Sequence, residues 1–152
     1  MGIRIGRLMT ESGYTLSSAE SCTGGTIASM VTAISGSSAY FKGAVVSYAV
    51  SVKEQVLGVD VSEGVVSEST ARQMAEGVAR VLGSDCSVAT TGIAGPGGAE
   101  PGKPVGTVCI AAHSPKATIA STFLFEGERE DVILQAADAS LRLLEELISN
   151  KI

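Results

Sequence analysis

Two kinds of apolar segment alternate along this sequence, and their order limits the folds that it can adopt. Short β-rich runs, of which Gly43 to Tyr48 is the clearest, are separated by segments whose apolar residues recur every three or four positions. Two later runs, Val105 to Ala112 and Thr118 to Phe125, are joined across Ser114-Pro115-Lys116, which is typical of an antiparallel hairpin. This order predicts an α/β fold, a three-layer α/β/α sandwich with a mixed β-sheet.

Glycine residues and helix-capping residues mark the ends of the individual helices and strands. Helices are predicted over residues 3–12, 23–34, 51–58, 67–82 and 129–148, and strands over residues 15–19, 43–48, 87–91, 105–112 and 118–125. Ser51 followed by Glu54 has the spacing of a capping box, which would place Lys53 at the second helical position. The fourth helix, from Ser67 to Gly83, has one apolar face, predicted to be buried: Ala71, Met74, Ala75, Val78, Val81 and Leu82.

Composition and charge restrict the class of protein. The 152 residues, 45% hydrophobic and without tryptophan, suit one domain (residues 1–152) with a core of small aliphatic side chains. A net charge of −5 without a Lys/Arg cluster argues against a nucleic-acid partner. We find no apolar run of transmembrane length and no signal segment, so we expect no membrane partner and a cytoplasmic location. Three widely spaced cysteines and one histidine argue against disulfides and a metal site.

Ser21 is the candidate nucleophile. It stands where a short predicted strand meets a helix that opens with Gly24 and Gly25. Backbone N–H groups of Thr23, Gly24 and Gly25 would then stabilise an oxyanion. Two alternatives stay open: Ser21 or Thr23 only caps the helix, or the adjacent Cys22 is the nucleophile.

A serine nucleophile needs a base, and Lys53 is the candidate. His113 is poorly placed for this role, because it ends a strand just before a turn and is expected to be partly exposed. A lysine near a helix N-terminus is held beside partial positive charge, and burial there would lower its pKa further. Tyr48, at the end of the preceding strand, would relay the proton. The simpler alternatives are an exposed lysine on a polar helix face and a tyrosine packed at the edge of the core.

A glycine-rich segment, residues 91–106, carries six of the 18 glycines and three of the four prolines. Loops this long and this biased inside a compact domain are usually functional. Its first residues, Gly92, Ile93, Ala94 and Gly95, are predicted to contact the substrate through backbone N–H groups. The alternative is a flexible surface loop.

Six stretches of the sequence together resemble the CinA C-terminal domain family, also called nicotinamide-nucleotide amidase. They are AESCTGG (19–25), GSSAYFKGAVVSY (36–48), GVVSEST (64–70), TGIAGPGG (91–98), KPVGTV (103–108) and FEGERE (125–130). The resemblance implies hydrolysis of the carboxamide of nicotinamide mononucleotide to nicotinate mononucleotide and ammonia, with no metal and no cofactor. It maps the serine, lysine and tyrosine of that reaction onto Ser21, Lys53 and Tyr48.

Two positions depart from the family pattern. Val50 stands where asparagine is common, and Glu128 replaces an aspartate before Arg129. Arg129 is expected to contact the substrate phosphate, because a guanidinium suits bidentate phosphate binding. The expected partner is a pyridine nucleotide, and the resemblance favours a homo-oligomer. Val50 motivates the competing hypothesis, a degenerate module that binds the nucleotide without turning it over.

Overall fold

Five strands form one mixed sheet in the computed structural model, which describes residues 1–149. The strands are β1 (Leu16–Glu20), β2 (Phe41–Val46), β3 (Cys86–Gly92), β4 (Thr107–His113) and β5 (Thr118–Leu124). Within that range the helices are α1 (Gly2–Ser12), α2 (Thr26–Thr32), α3 (Val50–Leu57), α4 (Glu68–Leu82) and α5 (Arg129–Ile148), with a 3₁₀ turn at Ser37–Ala39. The predicted α/β sandwich with a mixed sheet is confirmed.

The strand order, β2-β1-β3-β4-β5, divides the sheet into a parallel and an antiparallel half. Strand β1 pairs in parallel with both β2 and β3, so that Glu20 lies opposite Val46 on one side and Thr90 on the other. Strands β3, β4 and β5 pair antiparallel, which confirms the predicted late hairpin. The loops that follow β1, β2 and β3 therefore leave the sheet at the same edge.

Helices cover both faces of the sheet. One face carries α1, α2 and α5, which bury Ile5, Ile27 and Leu141 against Val88 and Ile110. The other carries α3 and α4, and its core is assembled from smaller side chains, such as Ala19, Ala71, Ala75, Ala89 and Ala111. Strand β1 is buried along its whole length although its sequence is only partly apolar, LSSAE. A strand with buried polar side chains at the centre of a sheet needs partners for each of them.

Helices α4 and α5 agree with their predicted bounds. The Ser67 hydroxyl caps α4 by accepting a hydrogen bond from the Thr70 N–H at 3.1 Å, and Gly83 ends this helix at φ +67°. The predicted buried face of α4 is wrong at Val81, which is 46% exposed in the last turn, where Ala79 is buried instead. None of the helices among residues 1–149 is long and apolar enough to cross a membrane.

The predicted starts of α2 and α3 are wrong. Helix α3 begins at Val50, and Ala49 at its N-cap accepts a hydrogen bond from Lys53 N–H through its carbonyl, without a side-chain cap. The predicted capping box at Ser51 does not form, and Lys53 is the fourth helical residue. Helix α2 begins at Thr26, because the preceding Gly25 has a φ of +108°, which no helical residue adopts.

Candidate active site

A pocket of about 330 Å³ opens at the carboxyl edge of the parallel half of the sheet. Ser21 and Cys22 line it from the turn after β1, and Lys53 from α3. The glycine-rich segment supplies another wall, and Arg129 reaches the pocket from the first residue of α5. The fold therefore brings most of the sequence-predicted site residues to one pocket, at the edge where the strand topology gathers three loops. The exceptions are Thr23, Gly24 and Gly25, which do not line the pocket.

The side chains of Ser21 and Lys53 are in direct contact. The distance from Lys53 Nζ to Ser21 Oγ is 3.0 Å, and Lys53 is only 1% exposed. Nζ also donates hydrogen bonds to the carbonyl oxygens of Ser47 at 2.6 Å and of Tyr48 at 3.2 Å. A neutral amine has two protons and one lone pair, and the two carbonyls can only accept. With its protons on those carbonyls, the amine directs its lone pair at the Ser21 hydroxyl.

Burial lowers the pKa of the Lys53 ammonium below its ordinary value, and a coulombic interaction with Cys22 opposes this only in part. Both salt bridges among residues 1–149 join exposed or half-buried side chains elsewhere, so neither involves Lys53. A buried amine without a carboxylate partner favours its neutral form. Of the two causes expected from the sequence, burial is the one that lowers the pKa here, and Lys53 lies at the fourth helical position instead of the predicted second.

Cys22, the rival nucleophile, also lines the pocket but is chemically unsuited to the role. It is 7% exposed, and burial raises its pKa to about 11. The thiol therefore stays protonated at neutral pH, and the thiolate is the reactive form of cysteine. The environment favours Ser21 over Cys22.

Most N–H groups in the turn from Ser21 to Gly25 already donate hydrogen bonds within the protein. Gly24 N–H donates to the Ser21 carbonyl at 3.1 Å, and Gly25 N–H donates to Oε1 of Glu20 at 3.1 Å. The expectation that Gly24 and Gly25 stabilise an oxyanion is therefore wrong for this geometry. Among the described residues, the N–H groups of Cys22 and Thr23 are the ones in this turn that donate to no other residue.

Glu20 is the site residue that the sequence reasoning missed. It is completely buried at the end of β1 and accepts hydrogen bonds from the first residues of α2. Strand β1 was predicted to end at residue 19, which left Glu20 in a loop without a role. The available signal was an acidic residue three positions before a predicted helix start, close enough for its carboxylate to accept hydrogen bonds from the free N–H groups of the first turn.

Tyr48 lies at the rim of the pocket and contacts Lys53 only through its carbonyl. Its side chain is 62% exposed, and its hydroxyl accepts a hydrogen bond from Arg129 Nη2 at 3.2 Å. The hydroxyl has no hydrogen bond to Ser21 or Lys53 in the described part of the chain, so the predicted proton relay is absent from this geometry. The reason is that β2 ends at Val46, two residues earlier than predicted, and Tyr48 belongs to the following loop.

Arg129 connects two walls of the pocket. Its Nη1 donates to the Gly95 carbonyl at 2.7 Å, while Nη2 contacts Tyr48. Neither salt bridge found within residues 1–149 includes Arg129, so its charge stays available to an anion. Glu128 precedes it as the N-cap of α5 and forms a capping box with Asp131.

The first residues of the glycine-rich segment are packed rather than mobile at the surface. Ile93 and Ala94 are 7% and 5% exposed, and Ile93 N–H donates to the Thr107 carbonyl at 2.9 Å. At Gly92 an added Cβ would lie 2.7 Å from that same Thr107 oxygen, so only glycine fits there. All four residues from Gly92 to Gly95 line the pocket.

His113 and the cysteines hold no metal centre with their neighbours. His113 pairs with Ser87 at the opposite edge of the sheet from the pocket, and its Nδ1 lies 2.7 Å from Thr118 Oγ1. Across residues 1–149, no group of three His, Cys, Asp or Glu side chains is arranged to bind a metal ion. His113 is half-buried, as expected, and lies too far along β4 to serve Ser21.

Similar sequences and structures agree with this architecture. The CinA C-terminal domain matches residues 2–148. A putative competence-damage inducible protein of Desulforudis audaxviator is 42% identical over 97% of this chain and 37% of its own length. A CinA-like protein of Flavobacterium psychrophilum is 43% identical over 96% of this chain and 36% of its own. The chain thus spans little more than a third of the length of these relatives.

Solved structures cover the chain almost completely. A competence-damaged protein (CinA) superfamily protein of Klebsiella pneumoniae superimposes with a TM-score of 0.93 at 31% identity, over 98% of this chain and 96% of that one. A competence/damage inducible protein of Agrobacterium tumefaciens gives a TM-score of 0.92 at 37% identity, over 96% and 92%. The family match over residues 2–148 and the similar solved structures lead to one conclusion: this chain belongs to the CinA C-terminal domain family.

Proposed function

We propose that this domain is a serine amidase that hydrolyses the carboxamide of nicotinamide mononucleotide. The observation that carries the proposal is the 3.0 Å contact between the Ser21 hydroxyl and the buried amine of Lys53. A serine beside a neutral lysine is an established alternative to the Ser-His-Asp arrangement. The pyridine nucleotide itself is inferred from the six sequence stretches that resemble the family.

In the first half of the reaction, Ser21 Oγ attacks the carboxamide carbon and its proton passes to Lys53 Nζ. The carbonyl oxygen becomes an oxyanion, for which the N–H groups of Cys22 and Thr23 are the open donors. Lys53 then gives its proton to the nitrogen, the carbon–nitrogen bond breaks and ammonia leaves. The product is an ester between Ser21 and the nicotinoyl group.

In the second half, water takes the place of the serine hydroxyl. Lys53 accepts a proton from water as its oxygen attacks the ester carbon, and then returns that proton to Ser21 Oγ. Nicotinate mononucleotide is released and the serine is restored. One amine at one position serves both halves, because in each half it exchanges a proton with the atom that attacks or leaves the same carbonyl carbon.

The remainder of the substrate is assigned to the opposite end of the pocket. Arg129, which has no carboxylate partner in the described range, is positioned to bind the phosphate. The residues from Gly92 to Gly95 line the same pocket as Arg129 and Ser21, and we assign the ribose to this wall. Tyr48 contributes to this end by holding Arg129, and Lys53 alone serves the nucleophile.

The proposal is tested by incubating the purified protein with nicotinamide mononucleotide and measuring ammonia. Ser21→Ala should abolish ammonia release, because it removes the attacking oxygen, whereas Cys22→Ala should retain most of it. The reverse pattern would refute the serine assignment. Binding of the nucleotide without any ammonia from the wild type would favour the degenerate module suggested by Val50.

A further inference from the structure

The carboxylate of Glu20 is the most extensively hydrogen-bonded side chain beside the pocket, although it does not line it. Glu20 is fully buried. Its Oε1 accepts hydrogen bonds from the Thr23 hydroxyl at 2.8 Å, from Gly25 N–H at 3.1 Å and from Ile27 N–H at 2.8 Å. Five donors in total surround a group that, when ionised, can only accept.

The other carboxylate oxygen, Oε2, accepts hydrogen bonds from one residue before the turn and one residue after it. It accepts from the Ser18 hydroxyl at 3.0 Å and from Ala28 N–H at 2.9 Å. Ser18 belongs to β1 and Ala28 to the first turn of α2. One side chain therefore joins the end of the strand to the start of the helix and fixes both ends of the turn that carries Ser21.

Backbone hydrogen bonds hold other parts of the same turn. The Ser21 N–H donates to the Thr90 carbonyl at 3.1 Å, and the Thr23 carbonyl accepts from Thr26 N–H at 2.9 Å. The Glu20 carboxylate adds the contacts that join Thr23 and Gly25 to the end of β1. Cys22 and Thr23 supply the open N–H groups, so a displaced turn would move the nucleophile and the oxyanion donors together.

Glu20 also determines which N–H groups near Ser21 are already hydrogen-bonded. The first N–H groups of a helix are normally free and attract negative charge. In this chain the carboxylate accepts from Gly25, Ile27 and Ala28, while backbone carbonyls accept from Gly24 and Thr26. The donors next to Ser21 that remain for an oxyanion are the N–H groups of Cys22 and Thr23.

We infer that Glu20 is a positioning residue of the amidase: it sets the place of Ser21 and of the Cys22 and Thr23 N–H groups without touching the substrate. This inference rests on the proposed function, because it assigns Glu20 to that reaction. It predicts that removal of the Glu20 carboxylate lowers the rate of acylation of Ser21 and leaves nucleotide binding nearly unchanged.

The test compares Glu20→Ala and Glu20→Gln with Ser17→Ala. Ser17 is an equally buried polar residue of β1 that hydrogen-bonds to Ser84, away from the turn. For each variant, kcat and KM for nicotinamide mononucleotide are measured well below the melting temperature, together with the rate at which a fluorophosphonate labels Ser21. The fluorophosphonate reports on the nucleophile and its oxyanion donors without requiring the nucleotide.

We expect Glu20→Ala to lower kcat and the labelling rate by about 100-fold, the cost of a misplaced reacting group, with KM changed less than about threefold. Glu20→Gln keeps one acceptor oxygen and should lose less of both. Ser17→Ala should retain both kcat and the labelling rate, even when its melting temperature falls by as much as that of Glu20→Gln. A folded Glu20→Gln or Glu20→Ala that matches Ser17→Ala in kcat and labelling would overturn the inference.

The two proposals fail in different ways. A wild-type protein that releases no ammonia but is labelled at Ser21, with labelling lost in Glu20→Ala, would refute the substrate and keep the role of Glu20. A wild-type protein that is neither active nor labelled would refute both. Ammonia release that is normal in the wild type and unchanged in both Glu20 variants would refute the positioning role alone.

Discussion

The amine of Lys53 is almost completely buried, although its charged form is one that water stabilises strongly. The chain compensates with two backbone carbonyls, of Ser47 and Tyr48, instead of a carboxylate. A carboxylate partner would favour the ammonium and so raise the pKa of the lysine. Backbone carbonyls carry no net charge, so they orient the amine while favouring the ammonium less. This choice of partners suits an amine that must accept a proton.

The pH dependence of the reaction follows from the direction of this pKa shift. Burial lowers the pKa of Lys53, and only the neutral amine can accept the Ser21 proton. We expect kcat/KM to rise with pH until the lowered pKa of Lys53 is passed and then to level off. Steady-state rates over a pH series check this, with protein folding monitored at each pH. A rate that is constant over the series, or that falls as pH rises, would contradict the role of Lys53 as base.

How far the sequence predicts this site depends on the kind of contact that each residue makes. Ser21 and Lys53 could be identified because each stands in a local environment, a glycine-flanked turn and a helix start, that the neighbouring residues reveal. Glu20 acts through donors up to eight residues away, which depend on where β1 stops and α2 begins. Tyr48 was misassigned for the same reason, since a two-residue error in the end of β2 changes the direction of its side chain.

At the scale of elements, the position of α3 depends on a close approach to α4. Gly77, inside α4, faces Leu57, the last residue of α3, and a Cβ at this glycine would collide with the Leu57 carbonyl oxygen. Leu57 lies one helical turn after Lys53 on the same helix. The contact between Gly77 and Leu57 therefore involves the same helix that carries Lys53.

Gly77→Ala should reduce both stability and activity. Overpacking of this kind lowers the free energy of unfolding by about 1–3 kcal/mol, and the better helix propensity of alanine offsets about 1 kcal/mol of this loss. We expect the free energy of unfolding to fall by up to about 2 kcal/mol in a denaturant titration, with a lower kcat in the folded variant. Gly97→Ala is the control for stability, because nothing lies within 4 Å of its added Cβ. Equal stability of the two variants would show that α3 adjusts without cost.

Elements with strong caps and clear periodicity were predictable, and those that begin by tertiary contacts were not. Helix α4 has both a serine cap and a glycine end, and α5 has a long apolar stripe, so their bounds follow from local physics. Helix α2 has only seven residues and begins where a carboxylate from β1 collects its free N–H groups. No pattern within the α2 sequence reports that contact.

Across the whole molecule, Arg129 brings together parts of the chain that are distant in sequence. It is the first residue of α5, and its two hydrogen bonds reach the glycine-rich segment at Gly95 and the loop after β2 at Tyr48. The parallel half of the sheet supplies the nucleophile and the base, while the helix that follows the antiparallel half supplies this cation. Both halves of the fold are therefore needed to complete the pocket.

Arg129→Ala should weaken binding of a phosphorylated substrate selectively. A hydrogen bond to a charged group contributes about 1.5–3 kcal/mol, which corresponds to a rise in KM of roughly 10- to 150-fold. The nucleoside without the phosphate should show little change between variant and wild type. Arg142→Ala is the matched control, since Arg142 lies on the same helix, exposed and paired with Asp138. Equal losses for nucleotide and nucleoside would assign Arg129 to the structure of the pocket wall instead.

The exposed ring of Tyr48 at the pocket rim also has a spectroscopic consequence. The chain contains no tryptophan and only three tyrosines, so its near-ultraviolet emission comes from Tyr14, Tyr40 and Tyr48. Tyr40 is buried and Tyr14 is half-buried in the core on one face of the sheet, whereas Tyr48 is exposed and lines the pocket. The protein thus carries its own fluorescent reporter of occupancy, which allows binding to be followed in variants that no longer turn over.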